Sequence, residues 1–413
     1  MARRSAWLAL AVAPALALTV AAGCGGSSQA PADGGHDMKA ARADGGADTK
    51  PARDSGVDDS PARKDGSSPD RTHDATVDDG ARDAGNKDAL APDALPPGCE
   101  TGAQGEPTDL RCTGLYSDWA SKTVASNLRQ YDPGLRLWSD GASKTRWIYL
   151  PPGTKIDTSN MDEWTFSPGT KIWKEFVVGG ARLETRLIWK QPSGRWYFTT
   201  YRWAADGSSA PELTDGELDA DGNGYEIPTQ NACYDCHNGR IDHVLGFEAV
   251  ALSSPQASGV TMATLTAGNL LTDPPTSPLT IPGDAATAAA LGYLHMNCGN
   301  ACHNNGNGEA SDTGIWMRLE VAALTSPQAT DTWTTGVGKP AIYQITGVDA
   351  PQIFTPCDPA HSAAYYRMDH RDGVDGTMMG TQMPPIVSHQ VDTDGVALVA
   401  AWLNGFPQCS TKP

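Results

Sequence analysis

The chain has 413 residues and a formal net charge of −18, with 49 acidic side chains against 31 basic ones. This acidity, with no basic patch or recognition motif, excludes nucleic acid as a partner. No Ser-His-Asp order, paired carboxylates or phosphate loop occurs, so hydrolase chemistry has no support either.

The N-terminus reads as a targeting segment rather than as fold. Arg3 and Arg4 precede an apolar run from Ala6 to Ala22, which ends at Gly23-Cys24. Ala21-Ala22-Gly23-Cys24 looks like a bacterial lipobox, so residues 1–24 are expected to be a lipoprotein signal peptide that leaves Cys24 lipidated. An uncleaved anchor and an ordinary exported protein are the alternatives. Each places the rest outside the cytoplasm; the lipidated form sits in the cell envelope, facing the periplasm or the cell exterior. Residues 25–98 hold no Phe, Trp or Tyr. Such a tract cannot bury enough apolar surface to offset its ordering entropy, and is expected to be a disordered Ala/Asp/Gly/Pro linker.

Residues 99–230 are expected to form a β domain. Runs at Thr145–Leu150, Lys171–Val178, Glu184–Lys190 and Arg195–Trp203 are separated by turn signals such as Gly179-Gly180 and Pro192-Ser193-Gly194. Glu184, Arg186 and Ile188 alternate with Thr185, Leu187 and Trp189, the period of half-buried antiparallel strands. An all-β sandwich or partly open barrel follows. Its aromatic residues read as packing rather than as a sugar platform. Asp219, Asp221 and Asn223 resemble the first half of a calcium loop, but Gln230 stands where a bidentate glutamate is needed, so an acidic turn is expected instead of calcium.

Residues 231–413 change character. Leu265–Leu271, Ala285–Met296 and Val396–Leu403 read as short helices among long loops, as in a mainly α-helical haem region. At its start, CYDCH places Cys233, Cys236 and His237 at the spacing of covalent haem c attachment, with two thiols for the porphyrin and an imidazole for iron. A thioredoxin-like dithiol, or zinc held by Cys233, Cys236, His237 and His243, are the alternatives. A second copy, CGNACH, gives Cys298, Cys302 and His303 with one additional residue. It holds either a second haem c or a small Cys298–Cys302 disulfide. Downstream, Met383 in a Gln-Met-Pro-Pro run is the first choice of sixth iron ligand there, ahead of Met378, Met379 and His389. Met262 and His243 are candidates at the first site. Setting aside Cys24 and these four cysteines leaves Cys99, Cys112, Cys357 and Cys409, an even number in an oxidising compartment. The simplest pairing is Cys99–Cys112 and Cys357–Cys409.

Several stretches together resemble a family of exported bacterial dihaem c-type cytochromes, often lipoproteins, with an N-terminal β region. They are LWSDGASKTRWIYLPPGTKI at 137–156, WTFSPGTKIWKEF at 164–176, ETRLIW at 184–189, RWYFTTYRWAADGSSA at 195–210, IPTQNACYDCHNG at 227–239, LGYLHMNCGNACHNNG at 291–306 and SAAYYRMDHRDGVDGTMMGTQMPP at 362–385. The resemblance implies that His237 is the proximal ligand of one haem, and that His303 with the QMPP run belongs to a second cytochrome c-like unit. CGNACH departs from the family's CxxCH. The function expected is electron transfer to or from a redox partner protein, with a lipid membrane contacted through Cys24. A peroxidase-like enzyme with an open iron, and a haem-free disulfide-stapled binding or structural lipoprotein, are the other readings.

Overall fold

The computed structural model describes residues 97–411, apart from 344, 346, 347, 350 and 373–380. Cys24, the linker up to residue 96, Met378 and Met379 lie outside the described residues. A short ribbon of β1 (Tyr116–Asp118) and β2 (Thr123–Val124) precedes the main sheet. That sheet holds β3 (Arg129–Asp132), β4 (Ser143–Tyr149), β5 (Lys171–Val178), β6 (Ala181–Lys190), β7 (Trp196–Arg202), β8 (Glu212–Leu213) and β9 (Ser258–Gly259). All pairings are antiparallel, in the order β8-β7-β6-β5-β4-β3-β9. The order is linear, so this single sheet has two edges.

Local chemistry explains the strands. Gly179 and Gly180 have φ of +57° and +85°, which the two-residue turn between β5 and β6 requires. The register places Ile148, Ile172, Ile188 and Phe198 in one row, and Trp147, Trp173, Leu187 and Thr199 in the neighbouring row on the opposite face. The sequence period reads as half-buried, yet β6 and β7 are buried on both faces over most of their length. The reason is cover from both sides. Leu110, Leu115 and Tyr116 pack on the tryptophan face, while Val244, Phe247, Leu252 and Leu265 pack on the isoleucine face. Each such large side chain contributes about 1.5–3 kcal/mol by leaving water.

After β8 the chain must reach β9 at the far edge, so residues 214–257 cross the isoleucine face. The crossing carries α1 (Ala232–His237) and α2 (Ala249–Ser253). Beyond β9 come α3 (Met262–Ala267), α4 (Ala285–Leu294), α5 (Asp331–Gly336), α6 (Ala363–Asp369) and α7 (Thr393–Asn404). The helix expected at 265–271 begins earlier, because Thr261 and Thr264 form a reciprocal cap, and ends at Gly268. The helix expected at 285–296 is α4, capped by Asp284, and it continues as a π turn over His295–Gly299. The helix α7 starts at the Asp392 cap and packs Val399, Trp402 and Leu403 against Leu294 and Phe354. Short helices among long loops are present as expected, but loops hold most of the described residues after Asn231, so a mainly α-helical region is not shown.

Both expected disulfides are present, Cys99–Cys112 and Cys357–Cys409. The second closes a loop of 52 residues and ties the chain after α7 back to the start of α6. Asp219 and Asp221 accept N–H groups of their own turn, from Gly224, Asn223 and Tyr225.

Candidate functional site

The first motif lies on α1. Cys233, Cys236 and His237 are spaced i, i+3 and i+4, so a single turn brings all three side chains to one face. The helix rests on the sheet through Phe198, whose ring centroid is 4.9 Å from Tyr234 and 4.7 Å from His237. A tight return follows, and His243 at φ +58° turns its carbonyl towards His237. His237 Nδ1 lies 2.6 Å from that oxygen. A carbonyl only accepts, so Nδ1 carries the proton and Nε2 keeps its lone pair. No described group hydrogen-bonds Nε2. Burial, reinforced by Lys174, pulls the imidazole down to about 3, so the ring is neutral.

The return turn is anchored from below. Asp242 accepts from Lys190 Nζ at 2.7 and 2.9 Å, from Trp196 Nε1 at 2.8 Å and from the Phe166 N–H at 2.6 Å. Its neighbour His243 is thereby fixed.

The second motif repeats this logic with one residue more. Asn300 N–H bonds to His295 O at 2.8 Å and His303 N–H to Cys298 O at 2.8 Å, both i→i+5 contacts, while Cys302 N–H reaches Cys298 O at 3.2 Å. A π turn is an α-turn widened by one residue. The additional residue of CGNACH is therefore absorbed in a helical turn and does not bulge into a loop. Gly299 permits it, since a Cβ there would collide with the backbone of Met317 and Arg318. His303 Nδ1 lies 3.2 Å from Ile315 O, again leaving Nε2 free of described partners. Burial lowers the imidazole and pushes both thiols, Cys298 and Cys302, up to about 12. All four motif cysteines are free thiols.

The motifs pack directly on each other. A Cβ at Gly239 would collide with the Ala301 carbonyl. Arg240 donates to Asn300 Oδ1 at 2.5 Å, and both side chains are buried. Arg240 and Arg318 also flank Glu163. His295 accepts the Leu319 N–H at Nδ1 and sits 3.3 Å from Glu248 through Nε2. Burial raises the Glu248 carboxyl, but His295, Arg240 and the α2 N–H groups outweigh it and bring it down to about 2.

Each motif opens on a cavity. The first, about 180 Å³, is lined by Cys233, Cys236, His237, Lys144, Lys174 and Arg186 among others. The second, about 280 Å³, is lined by Cys298, Cys302, His303 and Met383, with Arg367 and Arg371. Both far exceed the roughly 10–15 Å³ that one water needs. Trp138, Asn297, Cys302, Pro384 and Pro385 belong to both walls, so the cavities are neighbours. Met383 thus shares a cavity with His303. His389 lines neither; its Nε2 is 2.7 Å from Glu226. At the first site neither Met262, packed in the core, nor His243 lines the cavity. Met296 does, a residue the spacing of the motifs gave no reason to single out.

Among the described residues no three His, Cys, Asp or Glu side chains converge as a metal cage, so the zinc alternative with His243 gains nothing from the geometry. No described helix is long and apolar enough to cross a membrane. Comparisons with protein-family models, curated proteins and solved structures find no match to the chain.

Proposed function

We propose that the chain is a c-type cytochrome of the cell envelope, anchored through lipid on Cys24, which carries electrons through haem held by Cys233 and Cys236 and by Cys298 and Cys302. One observation carries the reading. Two neutral imidazoles, His237 and His303, each give Nδ1 to a carbonyl, and each lines a cavity together with two free thiols of its own turn. This is how a protein prepares an axial ligand, since the carbonyl fixes the tautomer and raises the basicity of the other nitrogen. When bound, haem c supplies an iron that alternates between ferric and ferrous states.

The residues present fit that group at both sites. Cys302 on the shared wall brings the second site against the first, and Met383 offers the second a thioether, a ligand that raises reduction potential. In this reading residues 231–413 are the cytochrome c-like region, the β domain screens the first site, and the family is the exported dihaem cytochromes that the quoted stretches resemble. The acidic chain favours a basic or neutral redox partner.

A second reading turns on the first cavity, where His243 and Met262 are absent from the wall and Met296 is present. An iron that Met296 did not ligate would have an open position, bind small ligands and support peroxidase-like chemistry. Both readings are tested on full-length protein made with a c-type maturation system, by pyridine haemochrome and intact mass. Two covalent haems are expected; one removes CGNACH from the proposal, and none refutes it. Rapid carbon monoxide binding would favour the enzyme.

A further inference from the structure

The sheet face beneath the first motif carries a row of cations. Arg146 on β4, Lys174 on β5 and Arg186 on β6 are direct cross-strand partners, and Lys144 is two residues from Arg146 on the same face. All four line the first cavity. Like charges directly opposite each other destabilise a sheet, so the row needs a compensating charge.

Two members have one. Arg186 holds Glu184 through Nε at 2.8 Å and Nη2 at 2.6 Å, and Arg146 reaches Asp132 at 3.4 Å. The two lysines do not. Lys144 Nζ donates to Leu137 O at 2.5 Å, and Lys174 Nζ to Leu245 O at 3.5 Å. Among the described residues no carboxylate lies within ion-pair distance of either ammonium. The acidic side chains on the cavity wall are engaged elsewhere. Asp140 accepts the N–H groups of His389 and Gln390, and Glu226 holds the His389 ring.

We propose that Lys144 and Lys174 form the anion-binding half of the first cavity and receive the two carboxylates of the porphyrin held by Cys233, Cys236 and His237. The inference rests on the haem reading of that motif and adds to it. Burial and the neighbouring arginines hold both amines below the usual lysine range, so an anion beside them would favour their protonated form, and two such amines match the two propionates of haem in number. Arg186 and Arg146, already neutralised, act as spacers in the row.

The test uses full-length protein matured with haem. In Lys144→Gln/Lys174→Gln, peptide mass should still show haem on Cys233 and Cys236. One step of the redox titration should fall, because loss of positive charge favours the ferric form. The expected change is about tenfold in the ferric:ferrous ratio at fixed potential, or ~59 mV for one electron. Lys144→Arg/Lys174→Arg should restore the step, and Lys155→Gln, a remote exposed lysine, should not move it. If the double variant does not accumulate, Lys174→Met alone is read the same way, with about a threefold change. Haem attached and both steps unmoved would overturn the proposal while leaving the cytochrome reading intact. No haem on Cys233 and Cys236 in the unaltered protein would overturn both.

Discussion

Lys190→Met tests how the first motif is anchored. Lys190 and Asp242 are nearly buried, with N–O distances of 2.7 and 2.9 Å. Removing the ammonium leaves a carboxylate with two donors, Trp196 Nε1 and the Phe166 N–H. Breaking a buried pair from one side costs about 3–5 kcal/mol, a large share of the roughly 5–15 kcal/mol that holds a domain together. Asp242→Asn strands the ammonium and should cost a similar amount. In the double variant no charge is stranded; the two donors bond different carboxylate oxygens, so the amide oxygen keeps one of them and its NH2 faces the other, a cost that the Asp242→Asn single variant shares. The loss in the double variant should therefore fall about 2–3 kcal/mol short of the sum of the single variants. Urea unfolding followed by tryptophan fluorescence measures all four corners of the cycle. A coupling below about 0.5 kcal/mol would refute the pair as the anchor of the return turn.

Three further outcomes are expected. Gly239→Ala should lose about 1–3 kcal/mol in the same assay, because its methyl meets the Ala301 carbonyl; wild-type stability would show that the two motifs are not in backbone contact. Glu248, lowered from 4.5 to about 2, contributes stability that is present above its unfolded pKa and is lost as pH falls through the folded value. Unfolding midpoints should thus drop by roughly 3 kcal/mol equivalent between pH ~4.5 and ~2, a drop that Glu248→Gln, less stable at neutral pH, should lack. In the proposed dihaem form, Met383→His should lower one step of the redox titration and leave the other, since bis-histidine ligation sits below methionine–histidine; two unmoved steps would remove Met383 from the second site.

Much of the β region was legible because its signals are local. Alternation along Glu184–Lys190 and the Gly179-Gly180 turn locate strands without any tertiary information. Counting cysteines once the motifs were set aside left four, and the simplest of their three pairings is the one present. The cation row was not legible, since Arg146, Lys174 and Arg186 become neighbours only through register, and a strand pattern does not state its partner. Burial of both sheet faces also escaped, because the segment covering the isoleucine face lies far along the chain and carries its own motif. CxxxC spacing could not say whether the additional residue loops out or widens a helix. That choice is made by Gly299 against the backbone of Arg318, a contact between segments.

The linear strand order has a consequence for how the first motif is held. β8 and β9 are opposite edges of the same seven-stranded sheet, a span of about 29 Å at ~4.8 Å per strand. The segment bearing Cys233, Cys236 and His237 is therefore a strap buckled at both margins. Its hold between the margins comes from side chains, the Asp242 bonds and the packing of Val244, Phe247 and Leu252, while the two very short edge strands fix where it starts and ends.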